Sequence, residues 1–123
     1  MMRQQEEITV SNDCLFCKIA AKQIPAKLVH EDSDVFAFED TNPQAPTHIL
    51  ICPTKHFPSL ENATPADEAV LGKIALVAAK LARDRRLGDG YRTVVNTGSG
   101  AGQTIFHFHM HLLGGRSFRW PPG

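Results

Sequence analysis

The chain has 123 residues, a formal net charge of zero from Lys+Arg 13 against Asp+Glu 13, and a hydrophobic fraction of 42%. That length fits one domain of ordinary size and leaves no room for a second, and the apolar fraction supports a core rather than wholesale disorder. The charge balance argues against blanket attraction to nucleic acid or to an anionic membrane, while a small anionic ligand needs only local donors.

Residues 1–13 (MMRQQEEITVSND) are polar and read as a flexible tail. They lack the apolar stretch of a secretory signal, and their acids argue against a mitochondrial transit peptide. No apolar run approaches the roughly 18 residues that suggest a membrane span, so a reducing, cytoplasmic compartment is expected. There, Cys14-x-x-Cys17 points to metal or redox chemistry before a structural disulfide. Residues 14–22 (CLFCKIAAK) predict a short helix, with Leu15, Phe16 and Ile19 at helical spacing, and Ile24-Pro25 breaks it. Lys27–His30 and Val35–Glu39 predict two strands joined by a polar turn. Residues 40–46 carry two prolines and read as a loop; 47–52 (THILIC) reads as a central strand.

The longest periodic segment follows. Thr64 suits an N-cap, Pro65 the first helical position, and Asp67 and Glu68 the first turn. Val70, Leu71, Ile74, Val77, Ala78 and Leu81 recur at helical spacing, and Gly88 is the expected stop. Two more strands are predicted over 91–96 (YRTVVN) and 105–113 (IFHFHMHLL), separated by the glycine-rich segment 97–102 (TGSGAG). Strands interrupted by one long helix give an α+β domain.

Chemistry concentrates in the last predicted strand. Strand alternation puts His107, His109 and His111 on one face, about 7 Å between neighbours, with Phe108, Met110 and Leu112 on the other. A pure metal site and an exposed strand face where His recurs are the competing readings. The preceding glycines let backbone N–H groups approach a ligand, and Asn96, Gln103 and Thr104 add polar side chains, a set that suits a phosphate.

His107-Phe108-His109-Met110-His111-Leu112-Leu113 resembles the His-x-His-x-His-x-x motif of the histidine triad (HIT) superfamily. The likeness extends over residues 14–123. It includes Ile24-Pro25-Ala26-Lys27, Phe38-Glu39-Asp40, Pro43-Gln44-Ala45-Pro46-Thr47-His48, Gly90-Tyr91-Arg92, Val95-Asn96 and Gly102-Gln103-Thr104. The tail, Leu113-Gly114-Gly115-Arg116 and Trp120-Pro121-Pro122-Gly123, resembles the Hint branch, the histidine triad nucleotide-binding proteins.

The resemblance implies a single HIT domain over 14–123: a five-stranded antiparallel sheet with one long and one short helix, assembled as a two-fold homodimer. It implies hydrolysis of purine nucleoside 5′-phosphoramidates, and of aminoacyl adenylates, through a covalent nucleotidyl-histidine that releases the nucleoside monophosphate. His109 matches the nucleophile, His111 the donor to a phosphate oxygen or leaving group, and His107 the residue that orients the nucleophile. Asn96, Gly102, Gln103 and Thr104 match the phosphate-binding positions; many relatives carry Ser where Thr104 stands. Asp40 matches the ribose-binding carboxylate, although on pattern alone it reads as an Asx-type turn residue. Leu15, Phe16, Ile19 and Phe38 resemble the walls of the purine pocket and would otherwise read as core. Relatives with an N-terminal Cys-x-x-Cys imply a structural zinc held by Cys14, Cys17, His48 and His107, with no cofactor needed for the chemistry. An unmetallated thiol pair and a redox disulfide are the alternatives there. Cys52 reads as a buried apolar residue. His56 resembles a recurring family position but reads equally well as an exposed structural histidine; His30 carries no functional signal, and Trp120 suits either core or interface. A dinucleoside polyphosphate hydrolase and a nucleotide-binding adaptor with little turnover are the alternative functions. No nucleic-acid or membrane partner is expected.

Overall fold

The computed structural model describes residues 13–123, so the tail expected at 1–13 lies, Asp13 apart, outside the described residues. The short helix α1 (Leu15–Ala20) is followed by β1 (Leu28–Glu31), β2 (Val35–Glu39) and β3 (Thr47–Pro53). The long helix α2 (Glu68–Asp84) then leads to β4 (Tyr91–Val94) and β5 (Met110–Gly114). The strands form one antiparallel five-stranded sheet in the order β1-β2-β3-β5-β4. The late strand β5 therefore sits inside the sheet, between β3 and β4, and carries the end of the histidine row with it.

All seven residues of β3 are buried, which its continuous apolar run foreshadows. Alternation sends Ile49 and Ile51 to one face, where Val35, Ala37, Leu112 and Phe108 meet Ile74, Val77, Ala78 and Leu81 of α2. Leu50 and Cys52 go to the other face and pack with Phe36, Phe38, Phe16 and Ile19 under α1. The large core lies beneath α2, and the small one is the floor on which the site is built. Ile74 is fully buried, so trimming it to Ala removes about 2–5 kcal/mol of stability.

Both ends of α2 depart from the sequence expectation. Thr64 caps a 3-10 turn over Pro65–Asp67 with a capping box closed by Asp67, and the α-helix begins only at Glu68. At the far end the stop is Arg86, not Gly88. Arg86 takes φ +57°, while Leu87 N–H donates to Ala82 O (2.9 Å) and Arg86 N–H to Arg83 O (3.0 Å). This is a Schellman closure with arginine in the left-handed position that usually favours glycine. Among the described residues, no helix is long and apolar enough to cross a membrane.

Candidate functional site

The predicted strand over 105–113 is shorter in the structure: β5 begins at Met110, so His107 and His109 precede it and only His111 is paired within the sheet. The chain approaches the sheet as an extended lead-in, pinned where Phe108 N–H donates to Phe57 O (2.8 Å). Alternation survives in that lead-in. Phe108 enters the large core, while His107, His109 and His111 run along the other side.

The three imidazoles occupy different environments. His107 is fully buried and its Nε2–H donates to Pro53 O at 2.8 Å. A carbonyl only accepts, so the lone pair of His107 lies on Nδ1. That nitrogen is 3.3 Å from Cys14 Sγ, 3.6 Å from Cys17 Sγ and 3.1 Å from His56 Nδ1. Cys17 Sγ is also 3.5 Å from His56 Nδ1. A tetrahedral zinc bound at about 2.0–2.1 Å to nitrogen and about 2.3 Å to sulfur has ligand-to-ligand edges of about 3.3–3.8 Å. The cluster thus has the donor types and spacing for such an ion, and the Pro53 carbonyl is the outer partner that fixes the His107 tautomer. Burial draws both His107, to about 4, and His56 downward, which keeps lone pairs on the nitrogens. Cys52 is buried beside this group; burial, reinforced by Cys14 and Cys17, pushes its thiol up, in keeping with an inert apolar residue.

The fourth ligand expected from sequence was His48, and the structure replaces it with His56. The pairing explains why. His48 stands opposite Leu113 and Leu50 opposite His111, so His48 and His111 are diagonal neighbours across β3 and β5. His107 lies four residues earlier, toward Pro53 at the other end of β3, about 13 Å along an extended chain. One ion cannot reach both ends. His56 comes just after β3, beside the cysteines that open α1.

His48 instead joins a chain of hydrogen bonds. Gln44 N–H donates to His48 Nδ1 (3.0 Å), and His48 Nε2 lies 2.9 Å from His111 Nδ1 and 3.5 Å from Asp40 Oδ2. Burial shifts His48 and His111 toward the neutral form, His111 to about 4 with help from neighbouring His109 and His48. His109 sits between the two ends. Its Nδ1–H donates to His107 O at 2.7 Å, which leaves the lone pair on Nε2, and burial holds it neutral as well.

His109 and His111 border a cavity of about 570 Å³. Leu15, Phe16 and Ile19 from α1, Phe38 and Leu50 from the sheet, Asp40 and Thr104 complete much of its wall. The Phe16 ring stands edge-on to His109 (centroids 5.1 Å apart) and to Phe38 (5.3 Å). The expected pocket residues therefore come together, and Phe16, Ile19 and Phe38 are pocket wall and small core at once. Asp40 Oδ1 accepts from Asn42 N–H (2.8 Å), so it makes the Asx turn and still borders the cavity.

The glycine-rich segment differs from expectation. It folds as a 3-10 turn, Ser99–Ala101, flanked by Gly98 and Gly102 at φ +89° and +93°. The N–H groups of Ala101, Gly102 and Gln103 all donate within the turn. Gln103 is buried and turned inward: its Nε2 donates to Pro58 O (2.8 Å) and Ile105 O (3.0 Å), and its Oε1 accepts from Gly98 N–H (2.9 Å). Gln103 braces the loop and has no amide proton left for a phosphate. Asn96 and Gly102 are not among the residues bordering the cavity, whereas Thr104 is, at an exposed rim. His30 Nε2 lies 2.7 Å from Asp32 and closes the β1–β2 turn. Trp120 is 84% exposed and belongs to neither core.

Comparison with known proteins agrees with this geometry. The HIT domain family matches residues 21–118. The chain is 50% identical over 114 residues to the uncharacterized HIT-like protein slr1234 of Synechocystis, covering 93% of this chain and all of that one. It is 48% identical over 103 residues to protein HitA of Neisseria gonorrhoeae, covering 84% and 96% of the two chains. A HIT family hydrolase from Legionella pneumophila superposes with a TM-score of 0.88 at 50% identity, over 90% of this chain and 100% of that one. A histidine triad nucleotide-binding protein from Candida albicans superposes with a TM-score of 0.77 at 31% identity, over 89% and 83%. The alternating histidines, the sheet they lead into and these likenesses agree: the chain belongs to the HIT domain family.

Proposed function

We propose that this protein hydrolyses purine nucleoside 5′-phosphoramidates, and aminoacyl adenylates, with His109 as a covalent nucleophile. The observation that carries the reading is the fixed tautomer of His109: its Nδ1–H is committed to the His107 carbonyl, so the Nε2 lone pair is left for a phosphorus atom in the cavity. In the first step Nε2 bonds to the α-phosphorus, and the P–N electron pair departs with the amine or, for an aminoacyl adenylate, the P–O electron pair departs with the carboxylate. Water then attacks the nucleotidyl-histidine, the phosphorus–imidazole bond breaks and nucleoside monophosphate leaves. The charge that develops on the phosphoryl oxygens calls for donors, for which His111 and the Thr104 hydroxyl are placed at the cavity. Leu15, Phe16, Ile19 and Phe38 offer an apolar slot for a purine, and Asp40 a carboxylate for ribose hydroxyls.

Cys14, Cys17, His56 and His107 would hold a structural zinc, tying α1 to the lead-in of β5; the chemistry needs no metal. A reducing, cytoplasmic setting belongs to the same reading, because there a Cys-x-x-Cys pair serves a metal before a structural disulfide. The assembly we propose is a two-fold homodimer. Comparing turnover of adenosine phosphoramidate with that of a diadenosine polyphosphate tests the reading. Faster cleavage of the phosphoramidate supports it; preference for the polyphosphate would favour the alternative hydrolase, and binding without turnover the adaptor.

A further inference from the structure

His48 has no place in the metal cluster, yet it is 6% exposed and hydrogen-bonded at both ring nitrogens. Each bond in that chain has only one direction. The Gln44 backbone N–H can only donate, so His48 Nδ1 must accept and the His48 proton sits on Nε2. That proton points at His111 Nδ1, 2.9 Å away, so His111 must accept there and carry its own proton on Nε2. His109 is fixed in the opposite tautomer by the His107 carbonyl. Two histidines at the same cavity thus present opposite faces to a ligand: a lone pair from His109 and a proton from His111.

The chain also forbids a charged His111 in this arrangement. A second proton, on His111 Nδ1, would meet the His48 Nε2–H head-on. His48 cannot yield by switching tautomer, because its Nδ1 would then carry a proton facing the Gln44 N–H. The Asp40 carboxylate is the other charged group at His48, 3.5 Å from Nε2, and it favours the same Nε2–H form. We propose that His48 is a positioning residue, anchored by the Gln44 amide, that locks His111 as a neutral Nε2–H donor to the phosphoryl oxygen or departing amine. This rests on the phosphoramidate reading above. The P–N electron pair then leaves with the amine nitrogen, whose proton comes from water and not from His111, and the hydroxide so formed attacks the nucleotidyl-histidine in the second step. His111 stabilises charge but does not act as the acid.

The first test needs no substrate. Long-range proton–nitrogen spectra of the imidazoles in the native protein at neutral pH should show His48 and His111 both neutral and protonated on Nε2, and His109 protonated on Nδ1. A cationic His111, or one protonated on Nδ1, would overturn the proposal. The second test compares two variants. His48→Gln keeps an amide N–H near the Nε2 position; His48→Ala does not. For adenosine phosphoramidate, His48→Ala should lower kcat about ten- to a hundred-fold with KM little changed and His111 spread over both tautomers. His48→Gln should recover most of that loss. Unchanged kcat in His48→Ala, or equal losses in both variants with the His111 tautomer intact, would overturn it. Absence of phosphoramidate turnover in the native protein would defeat the functional reading, while the spectra would still decide the His111 lock.

Discussion

The two ends of the histidine row use the same side chain for opposite purposes. At the His107 end a buried imidazole turns its lone pair toward two cysteines and His56, away from any ligand. At the His111 end a half-buried imidazole accepts from His48 and turns its proton to the cavity. Neither role follows from the residue type. Each is set by what the second ring nitrogen meets: a carbonyl at Pro53, or a histidine held by a backbone amide. His109 joins the ends, since the group that orients it is the backbone carbonyl of His107, the residue that faces the cysteines.

The sharpest way to break this comparison is to remove ligands from one end only. Native protein should carry one zinc per chain by mass spectrometry. Cys17→Ser or His56→Ala should lose it, with a large fall in Tm, whereas His48→Ala should keep it. Metal retained in His56→Ala and lost in His48→Ala would reverse the two ends. Phe16 lies between the cysteines and against His109, so it bridges the regions. Phe16→Ala should reduce stability by about 3–5 kcal/mol in denaturant unfolding and weaken nucleoside monophosphate binding in titration calorimetry.

Acid should act next. His111 titrates at about 4 in the folded chain against 6.5 ordinarily, chiefly through burial, so the unfolded chain binds its proton more readily. The stability it contributes is complete above 6.5 and is lost as pH falls from 6.5 toward about 4, which thermal melts across that range would record. The smallest effect belongs to Thr104, exposed at the rim of the cavity. Thr104→Ala should leave stability within about 0.5 kcal/mol of native while slowing turnover.

Much of this was legible in the sequence because it depends on short-range pattern. The apolar run of β3, the helical spacing from Val70 to Leu81 and the alternation around His109 needed no tertiary knowledge. What was hidden depends on register. His48 lies at the start of β3 and His56 just beyond its end, and only the pairing of β3 with β5 shows which of them meets the cysteines. The cue available was His56 itself, a second histidine eight residues on, at the opposite end of a strand already predicted. Gln103 reads as a phosphate donor until its amide is seen to close the glycine turn. Arg86 in the left-handed position breaks a preference rather than a prohibition, and Leu87 packing beside Gly114 accompanies it.

The central claim is that His109 becomes covalently nucleotidylated. Rapid-quench intact-mass spectrometry during turnover of adenosine phosphoramidate measures this directly. The expected result is a transient adduct of one nucleoside monophosphate per chain, mapped to His109 and absent from His109→Ala, with turnover in that variant down by about a thousand-fold or more. Turnover without any adduct, at a rate that His109→Ala leaves unchanged, would contradict it.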